Sequence, residues 1–260
     1  MSGIDAVILD VDGTIVRGEN LIPGALTGLR AIDAAGCPRL LFSNNPTRGA
    51  AEYGEKLLAH DIEVDPSSVL TSASVSASYL SDHHATDRIY LVGESRLRSI
   101  LEAAGLTVTT DPTEADVVLG SIDLTFTYEA LCDAVAAFER DVAYYGTDPD
   151  PIVPGQAGRA PGSGAILGAL SAIAGRSPDA ILGKPSQIAA DAALSRLDAD
   201  PARTLVVGDR LDTDVALGDR TGMTTVLVRT GVTDADALAS SPIEPDYVLD
   251  DLGEIARVLD

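Results

Sequence analysis

The sequence predicts an α/β protein whose core is a Rossmann-like parallel sheet, with a second α/β unit inserted into the chain. Three observations carry that expectation. Short apolar, β-branched runs recur at residues 6–9, 39–42 and 204–207, and each ends in a cluster of polar residues. A helical pattern separates the first two, so strand, helix and strand follow one another within about forty residues, the spacing of a βαβ unit and hence of parallel strands. From Arg88 the alternation starts again before the first pattern returns near Ala180. That interruption marks an insertion.

Residues 6–14 read Ala-Val-Ile-Leu-Asp-Val-Asp-Gly-Thr. The apolar run is that of a buried strand, and residues two apart on a strand point to one side, so Asp10 and Asp12 are expected to project together where Gly13 lets the chain turn away. Two negative charges so close repel. A bound Mg²⁺, a hard cation that prefers oxygen ligands, removes the repulsion and leaves one carboxylate to act as nucleophile or acid/base. Asp-Val-Asp-Gly also suits a plain turn sealing a core strand. Gly18, Pro23 and Gly24 mark a loop over 17–25, and a helix is expected over 25–35, ended by Gly36. The run at 39–42 delivers Ser43, Asn44 and Asn45 at its carboxyl end, the side of an open parallel sheet on which ligands bind. A hydroxyl and an amide suit phosphate oxygens, and the same triplet suits an ordinary turn.

Helices are expected over 47–60 and 74–81, with a strand at 69–71 between them. His83 and His84 follow in a polar link without the carboxylate or cysteine pattern of a metal site. The inserted series comprises strands near 89–92, 107–109, 117–119 and 142–145 and helices over 95–104 and 128–139. A Pro/Gly-rich loop over 147–161 then enters a helix from 162 to 175, whose Gly162-Ser-Gly164 start lacks the spacing of a dinucleotide-binding loop. The core pattern resumes at 180–182, followed by Gly183-Lys184-Pro185 and a helix over 186–197. Lys184 and Lys56 are the only two lysines of the chain. An ammonium is a compact charge that can sit against a phosphate, and the start of a helix is a poor place for an idle cation. The strand at 204–207 ends in Gly208-Asp209-Arg210-Leu211-Asp212-Thr213-Asp214, an acidic cluster in which Asp209 stands where a metal carboxylate is needed, while Asp212 and Asp214 also suit helix capping. Strands at 225–228 and 247–249 and a helix over 252–259 close the chain. The domains expected from this order are a core of 1–80 with 180–260 and an inserted α/β domain of 81–179.

Composition narrows the partners. With 18 Lys and Arg against 40 Asp and Glu, the net charge is -22, which repels nucleic acid and anionic membranes. An Asp-rich, Lys-poor composition also resembles proteins of salt-loving organisms, in which salt screens the self-repulsion. No apolar stretch reaches membrane-spanning length and no basic, cleavable leader precedes the first strand, so the expected partners include no membrane. Cys37 and Cys132 are too few for a disulfide framework, which fits the cytoplasm. An anionic substrate can approach such a surface only where a metal, backbone N–H groups or a rare cation concentrates positive charge.

In order along the chain, Asp10-x-Asp12-Gly13-Thr14, Ser43-Asn44-Asn45, Gly183-Lys184-Pro185 and Gly208-Asp209 with Asp214 resemble the motifs of the haloacid dehalogenase (HAD) superfamily. The chain is similar to its NagD-like phosphatases, which carry a large α/β cap between the second and third motifs. The likeness continues through Leu21-Ile-Pro-Gly-Ala25, Gly120-Ser-Ile-Asp123 and Tyr128-Glu-Ala-Leu131. Ser43 stands where the family usually has threonine, Pro46 where a small polar residue is common, and Thr147-Asp148-Pro149-Asp150 where the cap usually reads Thr-Asn-x-Asp.

The resemblance implies a HAD core with an inserted cap and a phosphatase of small phosphomonoesters. It implies Asp10 as nucleophile, Asp12 as acid and base, and Mg²⁺ held by Asp10, the Asp12 carbonyl and Asp209. It implies Ser43, Asn44 and Lys184 as phosphate-binding residues, with Asp214 orienting the lysine or the metal's waters. A phosphotransferase or phosphomutase using the same aspartyl-phosphate is the nearest alternative, and a non-catalytic phospho-acceptor module is another. The substrate itself, the roles of Asp148 and Asp150, and the oligomeric state stay open at this level.

Overall fold

The computed structural model describes residues 3–155 and 158–259. They form two compact units. The first comprises the described residues up to Ser43, Ala50–Leu70 and those from Ala189 on; the second comprises Asn44–Gly49 and Thr71–Ile188.

The first unit is built on a sheet of six strands in the order Tyr247–Leu249, Thr224–Val228, Thr204–Gly208, Ala6–Leu9, Arg39–Ser43, Val69–Thr71. The first five are joined by parallel pairings. Its central strands are buried along their whole length, as expected of a parallel sheet covered on both faces, and this is why they read as unbroken apolar runs. Val7, Leu9, Leu41, Val207 and Val226 pack against Leu29 and Ile32 of helix Ala25–Ala34 and against Leu252 and Ile255 near the chain end. Truncating any of the leucines or isoleucines among these to alanine costs about 2–5 kcal/mol.

The second unit holds a parallel sheet of five strands, ordered Ala180–Ile181, Ala143–Gly146, Val117–Gly120, Arg88–Val92, Thr107–Thr109. The period of two sorts its side chains. Ile89 and Leu91 face Ala73, Ala77, Leu80, Leu97 and Leu101, whereas Tyr90 and Val92 share the opposite core with Ala134, Ala137, Ile166 and Leu170.

Departures from the sequence reading have local causes. Helix Ser72–His83 begins earlier than expected because Thr71 and Ser74 cap it reciprocally: Thr71 Oγ1 accepts from the Ser74 N–H at 3.1 Å and the Thr71 N–H donates to Ser74 Oγ at 2.9 Å. Its Ala73, Ala77 and Leu80 pack in the second unit's core, and the compact units divide before Thr71. Strand Ala180–Ile181, expected to rejoin the core, pairs instead with Tyr145 and Gly146 in the second sheet. The loop expected over 147–161 contains an antiparallel hairpin of Ile152–Gly155 with Gly158–Pro161, whose prolines and glycines hid a short strand pattern; residues 156–157 lie outside the described residues. Among the described residues, no helix is long and apolar enough to cross a membrane.

Candidate active site and metal centre

Leu9 and Val207 are paired neighbours on parallel strands, so Asp10, one residue past Leu9, and Asp209, two past Val207, emerge at the same edge of the sheet. Asp214 returns to that edge on the wide π-type turn Leu211–Val215, which runs into helix Ala216–Thr221. Such turns are rare and collect at functional sites. Carboxylate oxygens of Asp10, Asp209 and Asp214 lie within 4.8 Å of one another, and all three residues are buried. Burial removes the water that would screen them, so the trio is stable only with positive charge among it.

The donor set fits a hard divalent cation, because it offers oxygen alone and carries ample negative charge. Room beside Asp209 is kept by two glycines. A Cβ on Gly13, whose φ of +110° already favours glycine, would lie 2.5 Å from Asp209 Oδ2, and one on Gly231 would overlap the same oxygen. The Val232 N–H donates to Asp209 Oδ2 and fixes that carboxylate's orientation. The resemblance named Asp10 and Asp209 as metal carboxylates; Asp214, which it placed further out, lies with them here.

Asp12 faces other partners. The strand ends at Leu9, one residue before Asp10, and Asp12 lies in the turn that follows. Asp12 Oδ2 accepts from the Tyr53 hydroxyl at 2.6 Å, and Asp12 Oδ1 accepts from Lys56 Nζ at 3.0 Å. Both donors sit on helix Ala50–Leu58, one turn apart, with Tyr53 and Leu57 anchoring it in the core. Burial, and then the charge of Asp12, push the Tyr53 phenol well above its ordinary value, so it remains a donor. A phenol has one proton. With that proton directed at Asp12, Ser43 Oγ donates in its 2.7 Å contact with Tyr53 Oη, and lies 3.3 Å from Asp12 Oδ2. Lys56 Nζ also stands 5.7 Å from the centre of the Tyr53 ring, within cation–π range. The sequence reading assigned no role to Tyr53 or Lys56. The signal available was a rare lysine three residues after a tyrosine, on the helix that follows Ser43-Asn44-Asn45.

In the second unit, Asn44 and Lys184 hold each other. Asn44 Nδ2 donates to the Lys184 carbonyl at 3.0 Å, and the Lys184 N–H donates to Asn44 Oδ1 at 2.8 Å. Ser72 Oγ donates to the Asn44 carbonyl at 2.7 Å. These bonds fix the backbone of a lysine that is 1% exposed, a burial lysine adopts only where its charge is answered. Asp148 and Asp150 are buried in the same unit. The Asp148 carboxylate accepts from Ser163 Oγ at 2.6 Å and from Thr147 Oγ1 at 3.0 Å, and burial together with the Asp150 charge pushes it up to about 7.

Comparison with known proteins agrees with this arrangement. The family model described as haloacid dehalogenase-like hydrolase matches residues 7–107, and a second HAD-hydrolase-like model matches residues 181–255. An acid sugar phosphatase of Staphylococcus haemolyticus is 35% identical over 252 residues, covering 97% of this chain and 95% of its own. The structure of a p-nitrophenyl phosphatase from Archaeoglobus fulgidus superposes with a TM-score of 0.93 at 32% identity, over 99% of this chain and 100% of that one. NagD from Escherichia coli K-12 gives a TM-score of 0.86 at 30% identity, over 97% and 98% of the two chains. With similarity running from end to end and strand-end carboxylates gathered as described, the chain belongs to the haloacid dehalogenase-like hydrolase family, as a NagD-like phosphatase.

Proposed function

We propose that the protein is a Mg²⁺-dependent phosphatase of small phosphomonoesters, sugar phosphates first among them, acting through an aspartyl-phosphate on Asp10. The observation that carries this reading is the buried trio of Asp10, Asp209 and Asp214 at one edge of a parallel sheet. Phosphoglycolate, glycerol phosphate and nucleoside monophosphates are the other members of the substrate class. The acid sugar phosphatases among the relatives support the sugar phosphates.

Asp10, Asp209 and Asp214 would hold the Mg²⁺ together with the Asp12 carbonyl. When bound, the cation supplies charge neutralisation, both for the carboxylates and for the phosphoryl oxygens. Asp10 attacks phosphorus, the bond from phosphorus to the ester oxygen breaks, and Asp12 gives its proton to the departing alcohol. Asp12 then takes a proton from water as the water oxygen attacks the aspartyl-phosphate. Inorganic phosphate leaves, and Asp10 is restored. Ser43, Asn44 and Lys184 bind the phosphoryl oxygens in this reading, and the Lys184 ammonium offsets the charge of the ester. We assign the inserted unit the role of a cap that selects the leaving group. Both cysteines are free thiols, which supports a reducing, cytoplasmic setting.

The test is phosphate release from a panel of these esters, with and without Mg²⁺, by the native protein and Asp10→Asn. Metal-dependent release that disappears in Asp10→Asn is expected, together with phosphate that stays on the acid-quenched native protein alone. Equal release by both proteins would remove Asp10 as the nucleophile.

A further inference from the structure

Asp12 is the group that must give and then take a proton, yet its side chain is 40% exposed and stands beyond the end of its strand. An exposed carboxylate on a turn samples several rotamers, and each one away from the ester wastes a turnover. Here both of its oxygens are held. Oδ2 accepts from a phenol that is completely buried, and Oδ1 accepts from an ammonium whose side chain is only 6% exposed. The two donors lie three residues apart on one helix, and that helix is fixed to the core by Tyr53 and Leu57. Lys56 is moreover one of two lysines in a chain that otherwise places arginine wherever it needs a cation. An arginine's planar fork would engage the carboxylate face-on and occupy both oxygens, whereas an ammonium holds a single oxygen.

On the reading that the protein is a phosphatase, we propose that Tyr53 and Lys56 are positioning residues that clamp Asp12, one oxygen each, in the orientation from which it protonates the leaving alcohol. Ser43 extends the clamp by donating to the Tyr53 hydroxyl, which commits the phenolic proton to Asp12. Neither residue needs to touch the ester.

The competing explanation is that the pair only ties helix Ala50–Leu58 to the turn after the first strand. The two differ in how the damage depends on the leaving group. A sugar phosphate releases a poor leaving group that needs the Asp12 proton, whereas 4-nitrophenyl phosphate releases a stable phenolate that does not. The experiment compares kcat/KM, which reports the steps through leaving-group departure, for both esters at saturating Mg²⁺. The variants are Lys56→Gln, Lys56→Arg and Tyr53→Phe, with Asp10→Asn alongside and thermal melts for each protein.

For Lys56→Gln, kcat/KM is expected to fall roughly 10- to 100-fold on the sugar phosphate, the usual loss when a supporting hydrogen bond is removed, and far less on 4-nitrophenyl phosphate. A burst of about one nitrophenolate per enzyme should appear, because aspartyl-phosphate hydrolysis also uses Asp12 and becomes limiting. Lys56→Arg should restore part of the loss. Tyr53→Phe should repeat the pattern, and Lys56→Gln carries the test if the buried tyrosine proves necessary for folding. Equal falls for the two esters, a change confined to KM, or no change overturn the proposal. Turnover retained by Asp10→Asn would instead sink the underlying phosphatase chemistry, a separate result.

Discussion

Asp148→Asn should make the protein more stable at neutral pH, by an amount that shrinks as the pH is lowered. Loss of water around the buried Asp148 carboxyl, and after it the neighbouring Asp150 charge, raise that group from 3.8 to about 7. In the unfolded chain the same group ionises near its ordinary value. Between those two limits the folded state binds more protons than the unfolded one, so stability falls as pH rises from about 4 to about 7 and levels off above that. The full shift corresponds to a cost on the order of 4 kcal/mol. Asparagine is neutral throughout. Its carbonyl can still accept from Ser163 and Thr147, which bond to Asp148 now, while the weak 3.3 Å bond from the Asp150 N–H to the other oxygen is given up. The gap between native and variant stability should therefore widen by about 1.4 kcal/mol per pH unit from pH 5 to pH 7, then stay constant. At pH 8 that amounts to a gain of roughly 8–16 °C in melting temperature for a chain of this size. Calorimetric melts across that range, in one buffer system at fixed salt, measure it. A gap that does not change with pH, or a variant less stable than the native protein at pH 8, would refute the reasoning.

Other perturbations follow from the same geometry. Gly231→Ala puts a methyl against Asp209 and should lower phosphate release roughly 100-fold with little change in the far-ultraviolet spectrum; near-native turnover would mean that Asp209 can move aside. Asp214→Asn should weaken Mg²⁺ binding, followed by calorimetric titration, by roughly 10- to 100-fold, and an unchanged affinity would place Asp214 outside the metal's reach. Mg²⁺ should raise the melting temperature of the native protein in proportion to the logarithm of its concentration, and chelation should reverse it; no shift would argue against a cation in the trio. With a net charge of -22, raising NaCl from low to molar concentration should also raise the melting temperature, since the screening length contracts to about 3 Å; a fall would show that local ion pairs outweigh the long-range repulsion.

Much of this was legible in the sequence, and what was not has a physical reason. The buried strands at 6–9, 39–43 and 204–208 announce themselves because a sheet covered on both faces must be apolar throughout. Asp10 and Asp209 were readable because a carboxylate directly after such a run has to stand at the sheet's edge. Asp214 was harder: only the wide turn at 211–215 brings it back, and no periodicity encodes a π turn. Tyr53 and Lys56 read as an ordinary amphipathic helix, since their partner Asp12 is more than forty residues away and pairwise contact of that kind leaves no local trace. That helix Ser72–His83 packs in the second unit's core leaves no local trace, because apolar spacing tells which face is buried but not against what. The pairing of 152–155 with 158–161 has no clear sequence signal because proline and glycine are better known as strand breakers than as edge-strand residues.

The pairing of Ala6 with Thr204 has a consequence for how the chain comes to be folded at all. During translation the first strand leaves the ribosome long before its central neighbour exists, and closing so long a loop is slow. Residues 71–188, by contrast, are contiguous and include every strand of their own sheet, so that portion can mature while synthesis is still under way. The amino-terminal third must meanwhile keep its sticky edge from neighbouring polypeptides. Nascent chains arrested before residue 204 should on this account protect the middle segment from protease and leave the first forty residues open to cleavage or to chaperones.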